Sequence, residues 1–99
     1  MSKQDKYTRA ARGRDCQVSL LGCTNNTETT VLAHYRLAGT CGVGIKPNNL
    51  QGAWCCDFCH SAVDGRINIG MERDELRLYH AEGVMRTVDQ LISEGILKL

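Results

Sequence analysis

One short segment, Trp54 to Asp64, constrains this chain more than any other part of it. Within it, Cys56 and Cys59 form a Cys-x-x-Cys pair, which is typical of zinc-binding knuckles. The segment runs on into a predicted short helix, where His60 and Asp64 are one turn apart and share a face. Two thiolate ligands are thus followed directly by an imidazole and a carboxylate, which suit a second, harder divalent ion.

Length and composition predict one small domain, residues 1–99, that needs a bound metal ion or disulfide bonds to supplement its core. A chain of 99 residues buries a modest core, and one Trp, one Phe and three Tyr supply few large core side chains. Residues 1–14 are polar and basic, without the apolar segment of a signal peptide, and no stretch is long enough to cross a membrane. We therefore expect a cytoplasmic protein whose six cysteines stay reduced and favour metal over disulfides.

Four cysteines are predicted to hold a structural zinc ion, which would replace part of the missing core. The first pair is more widely spaced than in most zinc knuckles, and Cys41 competes for the fourth position. Cys55 adjoins the second pair and must point the other way in an extended chain. Buried free thiols packed as small hydrophobes are the alternative. The predicted zinc ligands are Cys16, Cys23, Cys56 and Cys59.

The predicted elements give an α+β fold. Residues 1–14 form a basic arm with a helical turn, and residues 15–65 form the zinc-stapled core. β-Branched and aromatic residues indicate strands, and runs of Gly, Pro and Asn indicate the loop between them. The predicted elements are a strand at 29–36, a loop at 37–49, a strand at 50–54, a helix at 56–64 and a C-terminal helix at 71–94 within the segment 71–95.

The C-terminal helix carries a predicted apolar stripe at helical spacing. Gly83 lies inside it and permits a break, and Gly95 ends it. We expect this stripe to pack within the chain, and the sequence leaves the oligomeric state open. The stripe consists of Ala81, Val84, Met85, Val88, Leu91 and Ile92.

Basic residues are unevenly distributed although the net charge is only +1. The arm contains Lys3, Lys6, Arg9, Arg12 and Arg14, which could bind a phosphate backbone or simply be solvated. Arginine binds phosphate through a planar fork of donors, so Arg36 and Arg66 are the preferred phosphate contacts. The full set of predicted substrate-binding residues is Arg14, Arg36, Lys46 and Arg66.

The order of these features resembles that of the HNH, or ββα-metal (His-Me finger), nucleases: a strand with His34, a loop with Asn49, then Cys-x-x-Cys-His60. The resemblance implies that His34 is the general base and that Asn49 orients it, with Asn48 as second choice. It also implies that His60 and Asp64 bind a catalytic Mg²⁺ or other divalent metal ion. Outside this context, a His–Asp pair on a helix would be an ordinary surface contact.

A closer resemblance, covering nearly the whole chain, is to the YbcO-like family of small lambdoid-prophage nucleases. It implies a metal-dependent endonuclease that hydrolyses DNA phosphodiester bonds in phage recombination or DNA processing. Branched or single-stranded DNA and phage recombination proteins would be its partners. The segments that carry it are Ala10–Arg14, Val31–His34, Cys41-Gly42, Lys46-Pro47, Cys56–His60 and Glu94–Ile96.

Ala33 departs from the HNH pattern, because many of those enzymes carry an Asp or His ligand just before the base. The alternative function is therefore a catalytically degenerate, zinc-stapled module that binds nucleic acid without cutting it. A thiol-redox protein built on Cys55-Cys56-x-x-Cys59 is a second rival. That motif expects a βαβ context, which the predicted order of elements lacks.

Overall fold

The computed structural model describes residues 5–98, which form a small α+β domain with a two-stranded sheet and three helices. The ends of the predicted arm and tail, residues 1–4 with Lys3 and residue 99, lie outside the described residues. The elements are α1 (Lys6–Ala10), β1 (Val31–His34), β2 (Gly52–Cys55), α2 (Asp57–Val63) and α3 (Arg73–Ser93), with 3-10 turns at Thr27–Thr29 and Asn49–Gln51.

Both strands begin two residues later than predicted because asparagine-capped turns take up their first residues, and β1 also ends at His34 rather than at Arg36. The Asn26 side chain accepts a hydrogen bond from the Glu28 N–H at 3.2 Å, at the turn before β1. The Asn48 side chain likewise accepts one from the Leu50 N–H at 2.9 Å, at the turn before β2. Such side chains offer the backbone an alternative to the sheet ladder. The strands therefore begin at Val31 and Gly52.

The two strands are antiparallel, and the register pairs His34 with Gly52. A Cβ atom at Gly52 would lie 2.5 Å from Leu32 Cγ, so the packing at this position requires glycine. The outer edge of β2 is also satisfied: Thr87 Oγ1 of α3 accepts a hydrogen bond from the Trp54 N–H at 3.0 Å. On the same edge, the Gln17 N–H donates to the Trp54 carbonyl at 2.7 Å. β2 is therefore enclosed between β1 and α3.

The buried face of α3 differs from the predicted stripe. Its buried residues are His80, Gly83, Thr87 and Leu91. Met85 is 64% exposed and Ile92 36% exposed, so the predicted stripe was wrong at these two positions. The helix also continues through Gly83, where a Cβ atom would lie 2.9 Å from Val18 Cγ2. Close approach to the rest of the fold, rather than hydrophobicity alone, thus selects the buried face. None of the helices at residues 5–98 is long and apolar enough to span a membrane.

The described part of the basic arm packs on the domain. Asp5 begins α1, and its Oδ1 atom accepts hydrogen bonds from the Tyr7 and Thr8 N–H groups, both at 3.0 Å. Side chains of α1 then pack against the second of two core clusters. This cluster consists of Ala11, Leu32, Trp54 and Leu91, with Tyr7 and Ala10 at its border. The arm is therefore in part a structural element, which brings Asp5 close to the 3-10 turn before β2.

Candidate active site

Four cysteine thiols from two distant segments converge to form a candidate metal centre. The sulfur atoms of Cys16, Cys23, Cys56 and Cys59 all lie within 4.8 Å of one another. Zinc–sulfur bonds of about 2.3 Å in a tetrahedron place neighbouring sulfurs about 3.8 Å apart. The Cys23 and Cys56 Sγ atoms, at 3.6 Å, are already close to that distance. The cluster thus fits a tetrahedral metal ion held by four thiolates.

Local structure explains how the wide spacing of the first cysteine pair is accommodated. The loop between Cys16 and Cys23 turns back on itself, with Ser19 at φ 51° and Gly22 at φ 90°. The Asn25 side chain fixes its start by accepting a hydrogen bond from the Cys16 N–H at 2.7 Å. The second pair needs no such loop, because Cys56 and Cys59 lie at the start of α2.

The two remaining cysteines lie outside the set of four. Cys41 hydrogen-bonds to the Leu37 carbonyl within the 37–49 loop, at 3.6 Å, and does not compete for the fourth position. Cys55 is fully buried, and its hydrogen bonds to the sulfurs of Cys16 and Cys59 raise its pKa. The hydrogen bonds of the Cys16 sulfur with Cys55 and Cys59 lower the pKa of Cys16.

Burial raises the pKa of the Cys23 thiol to about 11, and the Cys59 pKa is raised chiefly by its hydrogen bond to Cys16. Neither thiol is therefore ionised near neutral pH before a metal binds. A metal ion held by thiolates must displace these protons, which makes its affinity dependent on pH.

The predicted pair of His34 and Asn49 is in direct contact. His34 ends β1, Asn49 opens the 3-10 turn before β2, and His34 Nε2 lies 2.7 Å from Asn49 Oδ1. The other end of the same amide donates a hydrogen bond from Nδ2 to Asp5 Oδ2, also at 2.7 Å. Asn48 is instead engaged in capping the turn. The structure thus brings Asn49, rather than Asn48, against the histidine.

His60 and Asp64 are also in contact, as their spacing on α2 predicts. His60 Nε2 lies 3.1 Å from Asp64 Oδ2. Two ligand atoms that each lie about 2.1 Å from a metal ion are separated by about 3.0 to 3.4 Å. This pair could therefore hold two positions of one divalent ion. Arg66 Nη2 lies 3.5 Å from the same carboxylate oxygen, so Arg66 balances the Asp64 charge on an exposed surface.

His34 and Asp64 both line an open cavity of about 160 Å³, whereas their partners Asn49 and His60 are not among its lining residues. The cavity lies where the ends of β1 and α2 meet the start of α3. Three arginines and a second histidine also line it, and Asp64 is the only carboxylate among the described lining residues. These four residues are Arg36, Arg73, Arg77 and His80. The cavity is therefore basic overall and suited to an anion such as a phosphodiester.

The residues that α3 contributes to this cavity were not predicted from the sequence. Arg73, Arg77 and His80 recur at helical spacing, and that polar periodicity was the available signal. The Arg77 guanidinium lies 4.6 Å from the centroid of the Tyr35 ring, which holds it at the rim. Burial lowers the pKa of His80, although its hydrogen bond to the Ala33 carbonyl opposes this. His80 is therefore neutral at pH 7.

The four predicted substrate-binding residues occupy different surroundings. Arg36 lines the cavity and donates a hydrogen bond to the Gly42 carbonyl at 2.9 Å. Arg66 lies beside Asp64, and Lys46 is exposed on the loop before β2. Arg14 is held by Glu94 and stacks over the Trp54 ring, 4.5 Å from its centroid. Arg14 thus joins the N-terminal segment to the end of α3.

Comparison with known proteins finds relatives over nearly the whole chain. A family model described as "Putative nuclease YbcO" matches residues 5–96. The chain is similar to "Putative nuclease YbcO" of Escherichia coli (strain K12) and "Putative nuclease ybcO" of Enterobacteria phage 82. Each is 42% identical over 91 residues, which are 91% of this chain and 94% of the relative.

A solved structure is similar in fold as well as in sequence. It is described as "Structure of a putative bacteriophage protein from Escherichia coli str. K-12 substr. MG1655" and is 36% identical to this chain. The match covers 89% of this chain and 98% of that chain, with a TM-score of 0.76.

Proposed function

Because the chain belongs to the family described as "Putative nuclease YbcO", we propose that it is a metal-dependent endonuclease of the HNH type that hydrolyses DNA phosphodiester bonds. The observation that carries the proposal is the basic cavity lined by both His34 and Asp64. It supports a site in which a base and a metal-binding carboxylate act on one phosphate. A strand, a loop, a second strand and a helix follow in the order typical of HNH enzymes.

In this mechanism His34 removes a proton from the water that attacks phosphorus. The 2.7 Å hydrogen bond to Asn49 orients the imidazole ring, because it fixes one of the two ring nitrogens. The other nitrogen then carries the lone pair that accepts the proton. The remaining residues of the site bind and orient the phosphodiester.

His60 and Asp64 would hold the catalytic divalent ion, and their 3.1 Å separation suits two ligands of one metal. Mg²⁺ or another divalent metal ion bound there would stabilise negative charge on the leaving oxygen. The four-cysteine cluster would hold a structural zinc ion. Its ligands Cys56 and Cys59 lie at the start of α2, so the zinc ion would anchor the helix that carries the catalytic ligands.

Phosphate binding is assigned to the arginines of the cavity. Arg36, Arg73 and Arg77 surround the space beside His34, and guanidinium groups bind phosphate oxygens in a bidentate manner. Contacts of this kind fix position without reading bases. Specificity would then come from DNA structure, such as branched or single-stranded regions, or from a partner protein. DNA recombination or processing in a phage or prophage, inside the cytoplasm, is the setting we propose.

A nicking assay on supercoiled plasmid with Mg²⁺, Mn²⁺ or Ni²⁺ tests this function. We expect wild-type protein to nick the plasmid and His34→Ala to be at least about 10²-fold slower. Lys98→Gln, an exposed substitution outside the cavity, is purified in parallel as the matched control and should nick like wild type. Equal cleavage by wild type and His34→Ala would overturn the assignment of the base. Branched DNA, single-stranded DNA and RNA in the same assay identify the substrate.

Ala33 favours a second candidate, a nucleic-acid-binding module that does not cut. Its side chain is a buried methyl group, 2% exposed, and its carbonyl oxygen accepts the hydrogen bond from His80. The residue before the base therefore adds no metal ligand to His60 and Asp64. DNA binding without metal-dependent cleavage, in protein shown to be folded and zinc-loaded, would support this candidate.

A further inference from the structure

Asp5 lies at one end of a hydrogen-bonded chain that ends on the proposed base. Asp5 Oδ2 accepts from Asn49 Nδ2 at 2.7 Å, and Asn49 Oδ1 contacts His34 Nε2 at 2.7 Å. The Asp5 carboxylate is fixed in turn, because its Oδ1 atom caps α1 through the Tyr7 and Thr8 N–H groups. The three side chains come from separate segments of the chain, so only the tertiary fold brings them together.

The direction of each hydrogen bond follows from elementary chemistry. A carboxylate only accepts hydrogen bonds, so the Asn49 amide must turn its NH₂ group toward Asp5. Its carbonyl oxygen then faces His34 and can also only accept. The His34 nitrogen in contact with it must therefore be the protonated one. Hydrogen bonds to Asp5 lower the pKa of its carboxyl group, chiefly those from the Thr8 backbone and the Asn49 side chain. The carboxylate is thus ionised at neutral pH.

We propose that Asp5 is a positioning residue: acting through the Asn49 amide, it selects the His34 tautomer with the proton on Nε2 and the lone pair on Nδ1. That tautomer leaves Nδ1 free to accept a proton from water. The consequence for cleavage rests on the proposed nuclease function, whereas the tautomer itself does not. Asp5 thereby links α1 to the candidate active site.

Two substitutions separate this role from helix capping. Asp5→Asn keeps a good N-cap but places an NH₂ group against Asn49. The Asn49 amide must then reverse and present its own NH₂ group to His34, which moves the proton to Nδ1. Asp5→Ser also keeps a cap but has no second oxygen, so it leaves the Asn49 amide free rather than reversed. Capping alone predicts equal behaviour of the two variants, and our proposal predicts that Asp5→Asn is the more severe.

The test combines NMR with the nicking assay. Long-range ¹H–¹⁵N spectra of histidine-labelled protein report which ring nitrogen is protonated, with His34→Gln used to assign the signals. We expect the Nε2-protonated form of His34 in wild type and the Nδ1-protonated form in Asp5→Asn. Cleavage should fall by about 10²-fold or more in Asp5→Asn and by about 10-fold in Asp5→Ser.

Three outcomes are distinguishable. An unchanged His34 tautomer in folded Asp5→Asn, or a wild-type proton on Nδ1, would overturn the proposal even if the protein cleaves DNA. A tautomer that switches as expected would support it, even in a protein that cleaves none of the substrates tested. In that last case the proposed nuclease function fails, but the proposal that Asp5 selects the His34 tautomer stands.

Discussion

The His80 side chain donates a hydrogen bond from Nε2 to the Ala33 carbonyl oxygen at 2.9 Å. This contact joins α3 to β1 immediately before His34, the proposed base. The Tyr35 ring packs edge-on against the His80 ring, with centroids 5.3 Å apart. His80 thus fixes the end of β1 through the residues on both sides of His34.

The lowered pKa of His80 predicts that stability falls as the pH decreases. The unfolded chain takes up a proton at His80 near its ordinary pKa of about 6.5, whereas the folded chain resists protonation until a lower pH. Stability is therefore fully present above about pH 6.5 and declines as the pH falls toward the folded pKa. Asp64, His60 and Arg77 are the charged groups that also influence this value.

Urea unfolding over the range from about pH 7.5 to about 5.5 measures this effect. We expect His80→Gln, which can still donate to Ala33, to show a weaker decline than wild type. Both proteins retain the same cysteines, so loss of metal contributes equally to both curves. Identical pH dependence in the two proteins would contradict the assignment.

Removal of one thiol of the four-cysteine cluster should abolish metal binding and most of the stability. Zinc and folding are coupled in small metal-stapled domains, so we expect Cys59→Ser to lose on the order of 5 kcal/mol. Cys41→Ser is the matched control, because Cys41 lies outside the four-cysteine cluster. Metal analysis should find one zinc ion per chain in wild type and Cys41→Ser. Zinc retention by Cys59→Ser would show that another ligand completes the site.

The Thr87 hydroxyl should contribute more to stability than its methyl group. Thr87→Val keeps the shape but leaves the buried Trp54 N–H without its acceptor, which costs about 1–3 kcal/mol. Thr87→Ser keeps the acceptor and loses one methyl group, at a cost of about 1 kcal/mol. Denaturant unfolding compares the two. A valine variant as stable as the serine variant would mean that the N–H finds another partner.

Gly83→Ala should destabilise the protein although alanine favours helices. The gain in helix propensity is about 1 kcal/mol, but the new Cβ atom would lie 2.9 Å from Val18 Cγ2 and 3.2 Å from the Gln17 carbonyl. Overpacking of this kind costs about 1–3 kcal/mol. Gly42→Ala is the control, since a Cβ atom there meets nothing within 4 Å. Thermal unfolding should rank Gly42→Ala above Gly83→Ala, and the opposite order would refute the close contact.

Arg77→Gln should weaken DNA binding and reduce its salt dependence. Each lost phosphate contact lowers the slope of log K against log salt by about 1. The His34→Ala background prevents cleavage during the titration, and fluorescence anisotropy measures binding at several salt concentrations. Lys98→Gln removes the same charge at an exposed residue beyond the end of α3 that does not line the cavity. Equal effects of the two substitutions would indicate non-specific attraction rather than a phosphate contact in the cavity.

Features that depend on neighbouring residues could be predicted from the sequence. The contact between His60 and Asp64 follows from their spacing on a helix, and the end of α2 follows from Gly65, which has φ 78°. Cys56 and Cys59 likewise lie close together because a knuckle and the first helical turn bring them there. In each case the local backbone alone determines the geometry.

The tertiary structure decided the features that depend on the approach of distant segments. It selected Asn49 over Asn48 beside His34, because Asn48 is used to cap a turn. It excluded Cys41 from the cysteine cluster, since the 37–49 loop keeps that thiol near Leu37.

The tertiary structure also placed Asp5 against the Asn49 amide, and it brought Arg73 and Arg77 of α3 into the lining of the cavity. Such contacts depend on how close α1 and α3 lie to the strands, and the hydrophobic pattern of a single chain does not encode that distance. The sequence by itself therefore determined which neighbouring side chains lie in contact, together with the family, and only the packing of the elements decided which side chains share one cavity.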